Sequence, residues 1–368
     1  VKIRAILTLL ALAVAARAEN AKLSKDLQGK PQTEKVKLIV QFNAAASEPV
    51  LKKLKLTALE KTKHLRAIKA VSAEVTAAQA VLLAANPLVK YVSADRPVLA
   101  LLDHTEKATF ADVARQYGYA GAGVTVAVLD SGIAVHPDFE SADGKSRVIY
   151  RETFVAGNTD LYGHGTHVAG IIAGDSSPGK KRPAHKSFNG IAPRANLVDL
   201  RVLDVNGRSS DSAVIAAIER AIALKNQLGI RVMNLSLGRP IFESHRLDPL
   251  CRAVEAAWNA GIVVVVAAGN LGRNGYATIL APANSPSVIT VGAMKAMKSP
   301  HRGDDEIASY SSKGPSFLDL VLKPDLVAPG NLVVSALAKG ARLPRLNPEN
   351  IVDTDYFRMS GTSMAAPV

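Results

Sequence analysis

The chain has 368 residues, 48% of them hydrophobic but only 5% aromatic, with a single cysteine, Cys251. That length accommodates one large domain and a smaller one, the lone cysteine excludes an internal disulfide, and the Ala, Val, Leu and Gly content suits packed α/β layers better than a carbohydrate-binding β-sandwich. The net charge of +13 splits into +3 over residues 1–18, +7 over 19–102 and +3 over 103–368, with no dense basic run carrying interleaved aromatics, so nucleic acid is not expected as a partner. Residues 1–18 read as an export signal. Lys2 and Arg4 open it, residues 5–16 are apolar, and Ala16-Arg17-Ala18 is a cleavage site, so the expected location is extracellular. The apolar run is short for an uncleaved anchor, and no later segment could span a membrane.

Residues 19–102 form a Lys- and Ala-rich zone. The run Lys37-Leu38-Ile39-Val40-Gln41-Phe42 predicts a strand, residues 51–69 and 77–85 predict helices, and Val89-Lys90-Tyr91-Val92-Ser93 predicts a closing strand. These make a small α+β module. From residue 103 the pattern alternates. Strands are expected over 124–129, 196–203, 231–237, 262–268 and 287–293, and helices over 212–228 and 249–260, stopped by Gly229 and Gly261. Strands apolar on both faces and joined by helices predict a parallel sheet covered on both sides. Cys251 falls in the second helix and reads as a small buried hydrophobe rather than a nucleophile.

Three segments carry chemistry. Asp130, in Val128-Leu129-Asp130-Ser131-Gly132, ends a buried strand, where open α/β sheets place their sites. His164 opens a helical stretch in Gly163-His164-Gly165-Thr166-His167, flanked by glycines that let another segment come close. His164 and His167 also make an H-x-x-H pair, but without a third ligand or a nearby Glu it is a poor zinc site. Ser363 stands at a helix start in Ser360-Gly361-Thr362-Ser363-Met364-Ala365. Each alone could be a turn or a cap. Together they supply a nucleophile, a base for its proton and a carboxylate to orient that base.

In the order Asp, His, Ser these motifs resemble the subtilisin-like serine proteases, the subtilase family, over roughly residues 110–368. The resemblance implies a subtilisin-like α/β fold and peptide-bond hydrolysis through an acyl-enzyme at Ser363, with no cofactor. It implies Asn270, in Val266-Ala267-Ala268-Gly269-Asn270, as an oxyanion donor, and Gly207, Ser236, Leu237, Gly238, Ala268 and Gly269 as substrate-binding positions. Leu280 corresponds to the floor of the specificity pocket and would make it shallow. Gly118, Gly121 and Gly123 precede a strand rather than follow one, so they are not a phosphate loop.

The same resemblance implies three regions: a signal peptide at 1–18, an inhibitory and folding-assisting propeptide of small α+β, ferredoxin-like type at 19–102, and a peptidase domain at 103–368. The propeptide would place its tail in the substrate cleft and be cut near residues 100–110, giving a self-processing zymogen. A plain spacer domain is the other reading of 19–102. Family calcium is left open and not predicted. Asp138 matches a ligand position, but Lys180-Lys181-Arg182 makes the neighbouring loop hostile to a cation. The chain stops at Val368, inside the helix expected from Ser363, so a C-terminally truncated peptidase domain is expected. The alternative function is a catalytically silent peptide-binding scaffold that has kept the motifs.

Overall fold

A computed structural model describes residues 22–24, 27–45, 47–54, 56, 63–65, 69–94, 108–176, 188–297 and 302–368. The expected export signal and most of the expected processing region lie outside the described residues. The chain divides into two compact units between Leu99 and Ala100.

The first unit runs β1 (Lys35–Phe42), α1 (Glu48–Lys53), β2 (Lys63–Leu65), β3 (Ala70–Thr76), α2 (Ala77–Ala85) and β4 (Val89–Ala94). Its sheet has the order β2-β3-β1-β4, antiparallel throughout. β1 alternates, burying Val36, Leu38, Val40 and Phe42 and exposing Lys35 and Lys37. The buried set packs with Leu51, Leu83 and Val92. At the start of α2, the Thr76 side chain and the Gln79 side chain each hold the other's backbone N–H in a capping box. This βαββαβ order is the ferredoxin-like arrangement.

The helix expected over residues 51–69 is not continuous through the described residues. α1 ends at Lys53, and residues 63–65 pair with β3, Lys63 opposite Ser72. The backbone donors and acceptors along that edge of β3 need a strand partner. That demand overrides the helical preference of the Lys- and Leu-rich run, as tertiary context routinely does. Residues 57–62 and 66–68 of the same run are outside the described set.

The second unit continues with α3 (Ala111–Gln116), β5 (Thr125–Asp130), β6 (Val148–Thr153), α4 (His164–Ala173), β7 (Asn196–Arg201), α5 (Asp211–Leu228), β8 (Ile230–Leu235), α6 (Pro249–Asn259), β9 (Val263–Ala267) and β10 (Ile289–Lys295). After them come β11 (Glu306–Ile307), β12 (Leu326–Pro329), β13 (Val333–Ala336), α7 (Arg342–Leu346), β14 (Ile351–Val352), β15 (Tyr356–Met359) and α8 (Thr362–Ala365). The main sheet has the order β11-β10-β9-β8-β5-β7-β6, with β12 also paired to β10. Every pairing is parallel except that of the short edge strand β11. A small antiparallel sheet, β13-β15-β14, lies apart from it.

Every residue of β5 is buried. Successive side chains of a strand point to opposite faces. Ala127 and Leu129 accordingly join the core under α5 and α6, while Val126 and Val128 join the core with α4, β13 and β15. Both faces are covered, which is why β5 reads as a nearly continuous apolar run. The strands and helices expected in this unit fall within two residues of those observed. Gly229 ends α5 in a left-handed conformation (φ 64°), its N–H donating to Lys225 O. Cys251 is buried, its sulfur 3.2 Å from Asn284 Oδ1, and burial pushes its thiol pKa well up, so it stays a protonated, inert thiol. Among the described residues no helix is long and apolar enough to cross a membrane.

Candidate active site

Asp130 is the last residue of β5, and His164 is the first of α4. The imidazole Nδ1 lies 2.8 Å and 3.0 Å from the two Asp130 carboxylate oxygens. Two glycines make this approach feasible. Gly163 precedes the helix in a left-handed conformation, φ 96°, that side-chain-bearing residues rarely adopt. At Gly165 a Cβ would stand 2.3 Å from the Gly132 carbonyl oxygen and 3.1 Å from the Asp130 Cβ, so only glycine lets α4 come this close to β5. Burial on its own would push the His164 pKa down. The charge and hydrogen bond of Asp130, with the charge of Asp160, outweigh it and raise the pKa above its ordinary value.

Ser363 is the second residue of α8 and half-buried. Its hydroxyl donates to the Ser236 carbonyl at 3.1 Å, and its own carbonyl accepts from the Ser236 hydroxyl at 2.8 Å. Asn270 lies three residues beyond β9 and is exposed. Its Oδ1 accepts from the Thr362 N–H at 2.9 Å and the Thr362 hydroxyl at 3.2 Å. With Oδ1 committed to Thr362, the Nδ2 donor is left for another partner.

Gly207, Ser236, Leu237 and Gly238 line one cavity of about 470 Å³ together with His164. Its apolar wall comes from Leu203, Val214 and Leu250, and its rim carries Asp211 paired with Arg239 at 2.8 Å. Ala268, Gly269 and Leu280 are not in its lining. They form a neighbouring group instead. The Leu280 N–H donates to Ala268 O at 3.1 Å, and the Leu280 side chain sits against Gly238 and Gly269, where a Cβ would come within 3.1 Å and 2.7 Å of it.

His167 turns inward rather than towards a metal. Its ring is fully buried, and Nε2–H points at the carbonyls of Phe357 (2.9 Å) and Val333 (3.2 Å), holding α4 to β13 and β15. Burial lowers its pKa to about 3, so it is neutral. Asp138, the position that matches a family ligand, has protein partners among the described residues. The Asp138 carboxyl takes the Tyr356 hydroxyl at 2.9 Å. The carbonyls of Asp138, Ala173 and Ala195 converge on the buried Arg147 guanidinium, at 2.5, 2.6 and 2.8 Å. These three carbonyls are thus satisfied by a side-chain cation. Among the described residues no three His, Cys, Asp or Glu side chains cluster as ligands, and residues 177–187 of the neighbouring loop lie outside that set.

The sequence reading passed over Asp160, Ser131 and Thr166, which form a buried network beside His164. The available signal was an acidic residue four positions before His164 in a segment otherwise short of charge.

The sequence pattern of the subtilase family matches residues 121–368. The chain is 38% identical over 355 residues to serine protease AprX of Bacillus subtilis (strain 168), covering 91% of this chain and 77% of that one. It is 37% identical over 263 residues to subtilisin DY of Bacillus licheniformis, covering 70% and 77%. To subtilisin E of Bacillus subtilis (strain 168) it is 33% identical over 362 residues, covering 94% and 81%. A crystal structure of a cold adapted subtilisin-like serine proteinase is 30% identical and covers 68% of this chain and 73% of its own, with a TM-score of 0.48. These relatives lend no support to a silent scaffold. On the strength of the matched family pattern and of these identities, the chain belongs to the subtilase family and is a subtilisin-like serine endopeptidase acting on peptides or proteins.

Proposed function

We propose that the protein is a secreted endopeptidase made as a self-processing zymogen, with Ser363 as nucleophile, His164 as general base and acid, and Asp130 as the group that orients His164. The observation that carries this reading is the contact of His164 Nδ1 with the Asp130 carboxylate at 2.8 Å. A proton held on Nδ1 leaves Nε2 as the free base, the tautomer that can accept the Ser363 proton. In the free protein the Ser363 hydroxyl rests on the Ser236 carbonyl. On substrate binding it turns to His164 Nε2 and attacks the scissile carbonyl, and the proton passes to His164. The developing oxyanion accepts from Asn270 Nδ2 and the Ser363 N–H, a pair whose loss costs about 10²–10³ in turnover per donor. His164 then protonates the leaving amine. Water, deprotonated by the same imidazole, releases the acyl group.

The substrate lies extended between the Gly207 segment and Ser236-Leu237-Gly238, binding mainly through its backbone. Leu280 against Gly238 and Gly269 keeps the neighbouring pocket shallow. A cleavage survey tests this, and a strong preference for large aromatic residues before the scissile bond would overturn it. Residues 19–102 act as the propeptide, assisting folding and inhibiting until cut near 100–110, and residues 1–18 direct export.

The deciding experiment compares intact mass and N-terminal sequence of the wild type with Ser363→Ala. The reading predicts that only the wild type loses residues up to about 100–110, and that Ser363→Ala lowers turnover by about 10⁶. Equal processing of both forms would refute self-cleavage. Equal turnover would refute Ser363 as nucleophile.

A further inference from the structure

Asp160 is a carboxylate that the proposed reaction leaves unused. It is 3% exposed and sits in the loop before α4. Its Oδ1 accepts from the Ser131 hydroxyl at 2.8 Å and the Gly163 N–H at 2.6 Å. Its Oδ2 accepts from the Thr166 N–H at 2.9 Å and the Thr166 hydroxyl at 2.6 Å. The donors belong to residues beside the reacting pair. Ser131 follows Asp130, Gly163 precedes His164, and Thr166 lies in the first turn of α4. The network extends one bond further on both sides. The Ser131 hydroxyl oxygen accepts from the Gly165 N–H at 2.9 Å, and that of Thr166 from the Ala134 N–H at 2.8 Å. Burial raises the Asp160 pKa above its ordinary value, and the hydrogen bonds from Thr166, Gly163 and Ser131 act against that shift. Four donors aimed at two oxygens match an ionised carboxylate, which is acceptor-only with about four lone-pair positions. An amide or a protonated acid in the same place would turn at least one donor against another.

We propose that Asp160 is a positioning residue for hydrolysis: it clamps the Ser131, Gly163 and Thr166 segments so that His164 stays on Asp130, and it supplies a second negative charge to the imidazolium formed when His164 takes the serine proton. The inference rests on His164 being the base.

Other titratable groups face this pair. Buried Asp199 interacts with both Asp130 and Asp160; burial, with the charges of those two carboxylates, pushes its pKa up to about 7 against its ion pair with Arg151 at 2.9 Å. Asp130 faces His164 from β5, Tyr162 from the preceding loop with its ring 6.3 Å away, and His167 from the next turn of α4, neutral and turned inward. Across the shared cavity stand Arg208 and the Asp211–Arg239 pair. Asp130 and Asp160 are the groups that raise the His164 pKa. Removing the Asp160 charge therefore lets His164 remain the neutral base to lower pH.

The test measures kcat, KM, the pH dependence of kcat/KM and thermal melting for Asp160→Asn and Asp160→Glu, with Ser363→Ala alongside. Asp160→Asn keeps the shape, loses the charge and misdirects a donor. It is expected to lower kcat by about 10²-fold, the scale of an ångström-level misplacement, with KM within about threefold. The acid limb of its kcat/KM profile moves to lower pH. Asp160→Glu restores the charge but not the geometry, so kcat falls while the acid limb stays at the wild-type position. A folded Asp160→Asn with wild-type kcat and an unmoved acid limb overturns the proposal. Should that variant not fold, Thr166→Val decides. It removes one hydroxyl donor and keeps the carboxylate, and a kcat equal to wild type overturns the clamp. Active Ser363→Ala would instead refute the nucleophile, whereas inactive Ser363→Ala with unaffected Asp160→Asn would refute the Asp160 inference alone.

Discussion

Replacing Gly165 with Ala tests how closely α4 must approach β5. The new Cβ would lie 2.3 Å from the Gly132 carbonyl oxygen and 3.0 Å from the Gly132 nitrogen, both backbone atoms that no rotamer change can move. Reaching a tolerable 3 Å contact requires the helix start to withdraw by about 0.7 Å. A shift of that size along the His164–Asp130 contact stretches 2.8 Å to about 3.5 Å, beyond a useful hydrogen bond. Turnover should then fall by about 10²-fold. Stability should change far less, because overpacking costs about 1–3 kcal/mol while Ala is favoured over Gly in a helix by up to about 1 kcal/mol. The assay is kcat and KM on a chromogenic peptide beside a thermal melt of the same preparation. A folded variant within threefold of wild-type kcat would refute the claim that this close approach limits catalysis.

Asp130→Asn should lower kcat by about 10⁴ through the wrong imidazole tautomer, with little change in KM. The same pair gives stability a pH signature: the His164 pKa is raised above 6.5, so its contribution is full below 6.5 and fades as pH rises through the raised value. Melting temperatures of wild type and Asp130→Asn should therefore differ most near pH 6 and converge towards alkaline pH. Arg147→Met leaves three buried carbonyls without their donor and should cost about 3–5 kcal/mol, read as a fall in melting temperature of roughly 10 °C. Asp248 is fully buried, caps α6 through the N–H groups of Leu250 and Cys251, and pairs with Arg239 at 3.0 Å. Asp248→Ala should destabilise by about 3 kcal/mol in denaturant unfolding and distort the cavity rim that Arg239 forms.

What the sequence made legible was whatever a single strand or helix encodes by itself. β5 is buried throughout and β8 and β9 mostly so, so they stand out as largely apolar runs, and α5 and α6 are followed by their own stop glycines. β6 was harder to see because only Val148 is buried and its other residues alternate between partly and fully exposed at the sheet edge. The short β13, β14 and β15 exist only through pairing with one another. The run over residues 51–69 failed for the same reason, since its strand is specified by the edge of β3 rather than by its own composition. Asp160 left only a faint trace in the sequence because its meaning lies in four donors supplied by residues up to 29 positions away.

The spatial order of the candidate site follows from the sheet. In a parallel sheet all carboxyl ends lie along one edge. The order β9-β8-β5-β7 therefore sets side by side Asn270 beyond β9, Ser236-Leu237-Gly238 beyond β8, Asp130 at the end of β5 and Gly207 beyond β7. Sequence distances among them run from 29 to 140 positions, yet neighbouring strands lie only about 5 Å apart. His164 and Ser363 come from helix starts instead, where a residue is held by its first turn yet still faces outward. This division separates two kinds of damage. A cavity in the middle of β5 or β8 weakens the core shared by all the strands, and activity then falls with stability. A change at a strand end or helix start, such as Gly165→Ala, shifts one group by a fraction of an ångström and lets activity fall with the fold intact.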